Sequence, residues 1–269
     1  MVLEKKIMLE KMTYREVPEA VKESNGIVII PCGVLEAHGP YLPVNVDTLY
    51  TVETVTRAAN EVGVVVAPTI PYGNVKQQMG FPGSVHIRHK TLINLVKDIG
   101  HSLVQHGFNK LLVVNGHGGN IAPLDIACEE LKYETGAITC NIAIWEMAVV
   151  PKPEGSPDID AHGGAQEASL VMAISPEDVD MESAVVGKIV IDRPPNTALW
   201  SRMAGGVGAV HLFVDSREAT EYGHIGDPAF ASAERGERVL RAWTNGFVEI
   251  LRFLKEDKLK FRSFDGDNR

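Results

Sequence analysis

Two short apolar runs, Ile27-Val28-Ile29-Ile30 and Leu111-Leu112-Val113-Val114, each end in a glycine-rich turn, and a helix-period pattern follows each turn. Runs of that length with such boundaries read as buried strands. Strands that alternate with helices restrict the chain to an α/β architecture, in which ligands collect beyond the carboxyl ends of the strands. Both turns deliver an imidazole to that end, His38 after the first strand and His117 after the later one.

The first turn runs through Glu36-Ala37-His38-Gly39-Pro40-Tyr41-Leu42-Pro43 to Asp47. Glu36 and His38 are two apart, so extended backbone points them the same way, and Asp47 comes where a helix starts. Such a loop is costly for stability and has the makings of half a metal site. Asp47 alone would also serve as a helix N-cap, because the helix dipole favours a carboxylate there. The second turn, Asn115-Gly116-His117-Gly118-Gly119-Asn120, is superficially like a phosphate loop. Its glycines miss the GxGxxG spacing and no GK[ST] is present, so they serve a sharp turn that exposes His117. A third turn, Asp160-Ala161-His162-Gly163-Gly164, is followed by Glu167 and Ser169.

Periodicity puts helices over 17–24, 47–60 and 92–103, after the second turn to about 133, after the third to about 174, and over 231–254. Strands are expected over 27–32, 64–67, 111–114, 138–144 and 188–191. The segment 68–90, punctuated by Pro71, Gly73, Gly80, Pro82 and Gly83, is long enough to be functional or ordered by a neighbour. Gly223-His224-Ile225-Gly226-Asp227-Pro228 reads as a turn cluster. No repeat or linker divides the chain, so one domain is expected over 1–269, with a polar tail over 255–269.

With 45% apolar residues the chain can bury a core without disulfides, and its three cysteines, odd in number and without CxxC spacing, fit a reducing compartment. A net charge of −9 argues against a nucleic-acid partner and against an anionic membrane surface. No apolar run has the length of a membrane span, and a cytoplasmic protein is expected.

Taken singly, His86, His89, His101, His106 and His211 read as structural or surface residues. Glu36, His38, Asp47, His117, His162 and Glu167 differ because all fall in turns at strand or helix ends. Converged on one sheet edge, they would repel and desolvate one another at a cost of several kcal/mol unless a cation neutralised them. Mixed imidazole and carboxylate donors without thiolate suit zinc, manganese or iron(II). Asp47 is the candidate bridge between two such ions, which would activate water for attack on a carbonyl, and His162 is the candidate for the leaving group's proton.

The three turns, together with Phe81-Pro82-Gly83-Ser84 and His106-Gly107-Phe108, resemble the creatininase (creatinine amidohydrolase) family over most of the chain. The resemblance implies a three-layer α/β/α sandwich with a mostly parallel sheet, two divalent metal ions, hydrolysis of small cyclic amides or formamides, and a homo-oligomer, often a hexamer. Position by position, Glu36, Asp47 and His117 would hold one metal, and His38, Asp47 and a further carboxylate the other. In creatininase that carboxylate comes from the position of Gly119, which has no side chain; Glu167 is the substitute, and it joins His162 as the catalytic pair. Tyr41, Gln77, Gln78, Gly118 and Gly119 are the candidate substrate-binding positions. The family's Glu-Gln-His and Glu-His are replaced by Glu36-Ala37-His38 and Gln77-Gln78, which favours a neutral, carbonyl-rich substrate. The alternatives are therefore a carbon–carbon hydrolase opening an inositol-derived cyclic diketone, and a non-catalytic metal- or ligand-binding protein.

Overall fold

Strand β1 (Ile27–Cys32) is buried at every residue, as a strand must be when helices cover both faces of its sheet. It lies inside a four-stranded, wholly parallel sheet of order β2-β1-β3-β4, with β2 at Val65–Val66, β3 at Lys110–Asn115 and β4 at Ile138–Ala143. These are features of a computed structural model, which describes residues 6–157, 159–190 and 213–259. Pro31 stands beyond the register of β2, which pairs Val65 and Val66 with Val28 and Ile29, and so removes no donor from that ladder.

Alternation along the strands splits the core in two. Ile27, Ile29, Val66, Leu112 and Val114 face helices α2 (Val46–Val62), α5 (Ala165–Ile174) and α7 (Ala233–Lys255). Val28, Ile30, Val65, Leu111 and Val113 face α3 (His89–Gln105) and α4 (Ile121–Thr135), with α1 (Val17–Glu23) at the margin; the one-turn α6 is Ser216–Ala219. The fold is thus α/β with helices on both faces of a parallel sheet, as the sequence implies. Gly236 lets α7 approach the Ser169 carbonyl of α5, and Gly100 admits Leu131 between α3 and α4.

Two expectations are corrected. β2 has only two paired residues, because Ala67 already leads into the long segment. The expected strand at 188–191 is present only as isolated bridges, Gly187 to Gly226 and Ile189 to Thr220, and Ile191, like His211, lies outside the described residues. Among the described residues no helix is long and apolar enough to cross a membrane.

The segment 68–90 is ordered by a neighbour. It bridges to the first turn through Leu35 and Val85, and the Ser84 hydroxyl accepts a 3.0 Å hydrogen bond from the Ala37 N–H. That contact gives the Phe-Pro-Gly-Ser stretch its purpose as a brace behind Glu36 and His38.

Candidate metal centre

The register of the sheet builds the site. Cys32 pairs with Asn115, so β1 and β3 end side by side and release the first and second turns next to each other at the carboxyl edge. Gly116 has no room for a Cβ because the first turn of α2 packs on it, and this close approach brings Asp47 between the two turns. Asp47 does not act as the helix cap. Asn45 occupies the N-cap position of α2, and the Asp47 carboxylate is spent on histidines.

Asp47 divides its oxygens. Oδ1 lies 3.1 Å from His38 Nε2 and Oδ2 lies 2.8 Å from His117 Nδ1. Glu36 Oε2 is 3.1 Å from the same His117 nitrogen, and Glu167 Oε2 is 3.6 Å from His38 Nε2. Donor atoms therefore gather into the sets Glu36–Asp47–His117 and His38–Asp47–Glu167, each compact enough to hold a metal ion, with Asp47 in both. A third compact set, Glu36–His38–His162, joins them.

The remaining ring nitrogens are committed to backbone. His38 Nδ1–H donates to the Glu36 carbonyl at 2.9 Å, His117 Nε2–H to the Asn74 carbonyl at 3.0 Å, and His162 Nε2–H to the Ala37 carbonyl at 2.9 Å. These bonds fix the tautomers so that His38 Nε2, His117 Nδ1 and His162 Nδ1 turn lone pairs inward, the arrangement metal-ligating histidines adopt. Both carboxylate oxygens of the fully buried Glu36 lack a hydrogen-bond donor. Bare lone pairs and orphaned carboxylate oxygens facing one another at about 3 Å are unfavourable without a cation, so the residues fit divalent metal.

Protons fill that role when metal does not. Burial disfavours a charged His38, but Asp47 and Glu167 overcome this and carry it up to about 10. His117 rises as well: burial opposes its charge, and Glu36 and Asp47 prevail. Burial raises Glu167 to about 7 against the pull of His38. His162 goes the other way, since burial and the neighbouring His38, whose ring centroid is 4.2 Å distant, push it down to about 4.

The signs set a test. His38 and Glu167 have folded values above their unfolded ones, so their contribution to metal-free stability is complete below the unfolded values, near 4.5 for Glu167 and 6.5 for His38. It is lost as pH rises through about 7 and then about 10. Metal-stripped protein should accordingly lose melting temperature across that window, and added Mn²⁺ or Zn²⁺ should restore more of it at pH 9 than at pH 6, because metal competes with those protons. Differential scanning fluorimetry of both forms reads this directly; an equal metal-induced shift at both pH values would contradict it.

Not every expected substrate position faces the site. Tyr41 is 2% exposed and donates its hydroxyl to the Gly163 carbonyl at 2.6 Å. Gln78 is buried, with Nε2–H donating to the Gly223 carbonyl at 3.0 Å. Both are corrections, because the Tyr41 hydroxyl and the Gln78 amide N–H are taken up by backbone carbonyls of other turns. Gln77 and Gly118 are exposed. Gly119 has no space for a side chain, since a Cβ there would run into the Asn74 carbonyl and His117 Nε2; position 119 therefore offers no carboxylate.

Three contributors have no clear signature in the sequence. Tyr50, one helical turn beyond Asp47, presses its hydroxyl against the Gly116 carbonyl and Asp47 Oδ1. His224 is fully buried, donates Nε2–H to the Val185 carbonyl at 3.0 Å, and packs against Gly39 and Gly163, so it wedges the first and third turns together. Arg235 of α7 meets Asp160, two residues before His162, in a buried pair of 3.0 Å. His224 was legible only as part of a turn cluster, and the ion pair spans the chain.

The donor geometry and the fold define a class, and comparison with known proteins defines the family. The creatinine amidohydrolase family model matches residues 10–251. The mycofactocin precursor peptide peptidase of Mycolicibacterium smegmatis is 33% identical over 242 residues, spanning 86% of this chain and 87% of that protein. The creatinine amidohydrolase of Pseudomonas putida is 29% identical over 93% of this chain and 98% of its own. A solved creatininase variant of Zn-Zn type superposes with a TM-score of 0.77 at 28% identity, covering 92% of this chain and 98% of that one. The 3-dehydro-scyllo-inosose hydrolase of Thermotoga maritima is a further relative, 26% identical over 93% of this chain and 84% of its own. The class is that of the metal-dependent hydrolases. Within it, this chain belongs to the creatininase family.

Proposed function

We propose that this protein is a two-metal amidohydrolase that cleaves an amide C–N bond of a small, cyclic substrate. The observation that carries the reading is the division of Asp47, one oxygen toward His38 and one toward His117, which suits a carboxylate shared between two ions. Glu36 and His117 would complete one position, His38 and Glu167 the other. Divalent ions held there would supply an acidified water and polarise the substrate carbonyl.

The chain's own groups handle protons. His162 Nδ1 is oriented inward by the bond from Nε2 to Ala37, lies 3.8 Å from Glu36 Oε2, and stays neutral at physiological pH because burial holds it down to about 4. It takes the proton of the attacking water and returns it to the leaving nitrogen. Gly118, exposed and next to His117 in the chain, is left as the backbone position for substrate contact.

Amide cleavage is preferred to carbon–carbon cleavage on one structural ground. The diketone reading calls on Gln77 and Gln78 together, and the Gln78 amide N–H is tied to the Gly223 carbonyl. The relatives named a peptide peptidase and a creatinine amidohydrolase both act on amides by name, which supports the same preference and adds short peptides to the substrates worth testing. Metal-reconstituted protein assayed against creatinine, short peptides, N-formyl amines and a cyclic diketone is expected to turn over an amide only. Turnover of the diketone alone would transfer the site to carbon–carbon chemistry, and metal analysis near zero with no rescue by added Mn²⁺, Zn²⁺ or Fe²⁺ would sink the metal reading.

A further inference from the structure

The peptide unit that joins Glu36 to Ala37 is held at both ends by side chains. Its carbonyl, on Glu36, accepts from His38 Nδ1–H at 2.9 Å, and its N–H, on Ala37, donates to the Ser84 hydroxyl at 3.0 Å. The unit is planar, so whatever fixes the direction of the N–H also fixes the direction of the carbonyl. Apart from His38 itself, Ser84 is the only hydrogen-bond partner of this unit among the described residues. The units on either side have ties of their own. Val85 N–H donates to the Leu35 carbonyl at 3.0 Å, Glu36 N–H to the Val44 carbonyl at 2.8 Å, and His162 Nε2–H to the Ala37 carbonyl at 2.9 Å. A unit between held neighbours still turns by opposite rotations of ψ at Glu36 and φ at Ala37, and the Ser84 bond resists that turn. Ala37 is 7% and Ser84 9% exposed, so an Ala37 N–H deprived of the hydroxyl is left buried without an acceptor.

We infer that Ser84 is a positioning residue for the second metal position: through the Glu36–Ala37 peptide it fixes the carbonyl that holds the His38 ring, and so aims His38 Nε2 at Asp47 and Glu167. A donating N–H also makes the carbonyl of its own unit a better acceptor, which tightens the hold on His38. The inference rests on the two-metal reading above, and it assigns the two positions different sensitivities. His117 is oriented by the Asn74 carbonyl instead, and Glu36 keeps the ties of its own N–H to Val44, so the Glu36–Asp47–His117 position should be indifferent to the Ser84 hydroxyl. Partners one step behind metal ligands typically govern affinity by about 10- to 100-fold.

The test is isothermal titration of metal-free Ser84→Ala with Mn²⁺, read together with electron paramagnetic resonance of the loaded protein. One equivalent is expected to bind as in wild type and the second about 10- to 100-fold more weakly, with the spin-coupled pair signal giving way to that of isolated Mn²⁺ as free metal is lowered. Ser84→Cys keeps the shape of the side chain but offers a weaker acceptor. Its second equivalent should fall between wild type and Ser84→Ala, and it decides the matter alone if Ser84→Ala does not fold. Ser24→Ala is the control: Ser24 is 1% exposed, donates to the Val21 carbonyl at 3.1 Å, and precedes β1 at the opposite end of that strand from the first turn. It loses a buried hydroxyl and should retain both equivalents. Unchanged binding in a folded Ser84 variant, equal weakening at both positions, or the same loss in Ser24→Ala would overturn the inference. A wild-type protein that binds fewer than two equivalents would instead overturn the two-metal reading, and the role of Ser84 with it.

Discussion

Asp47→Ala is expected to abolish metal binding at both positions and to lower turnover by on the order of a thousandfold or more, the scale on which removal of charge-stabilising groups acts. The carboxylate is 3% exposed and is the one group present in both the Glu36–His117 and the His38–Glu167 sets. Removing it leaves each set with one carboxylate and one imidazole, too few for a stable divalent site. It also takes away a main support of the raised values of His38 and His117, which should then release their protons nearer neutrality. Inductively coupled plasma analysis after gel filtration measures the stoichiometry. Loss of one equivalent with the other retained would show that Asp47 belongs to a single position.

His162→Gln should separate chemistry from metal binding. Its Nε2 is spent on Ala37, and its Nδ1 stands farther from Glu36 than the distances joining Asp47 to His38 and His117. The variant is therefore expected to keep its metal while kcat falls by about 10²- to 10⁴-fold, the usual worth of a positioned proton carrier. The pH profile carries the sign. A group pushed down to about 4 is neutral above that value, so the wild-type rate should decline only as the solution acidifies toward it, and the variant should lack that acidic limb. Loss of a metal equivalent in His162→Gln would make the residue a ligand, as the compact Glu36–His38–His162 set permits.

The residues of the site were legible because each stands in or beside a glycine turn at the end of a strand or the start of a helix, and because carboxylates and imidazoles gathered together there repel and desolvate one another without a cation. Their directions were not legible. Tyr41 sits in the turn that carries Glu36 and His38, and Gln78 just before the Phe-Pro-Gly stretch, yet both turn inward to backbone carbonyls, Gly163 and Gly223, that lie far away in sequence. Nothing local distinguishes a side chain that greets a substrate from one that ties two turns together. The shortness of β2 was hidden for a related reason, since Val64 to Ala67 is apolar throughout, and only the departure of the chain toward Ile70 ends its pairing.

By itself the sequence determined the alternation of buried strands and amphipathic helices, because burial on two faces or on one stripe is written in the period of its apolar residues. It also marked out the carboxylates and imidazoles that the fold brings together. Only the tertiary structure decided that Asp47 is shared rather than a cap, and that Glu167 rather than a residue at Gly119 comes to His38. Both depend on the register that sets Cys32 beside Asn115, the packing of α2 on Gly116, and the Gly163 N–H that meets Glu167. These are contacts between segments remote in the chain, and their physical cause is the close packing of the turns, which no single segment contains.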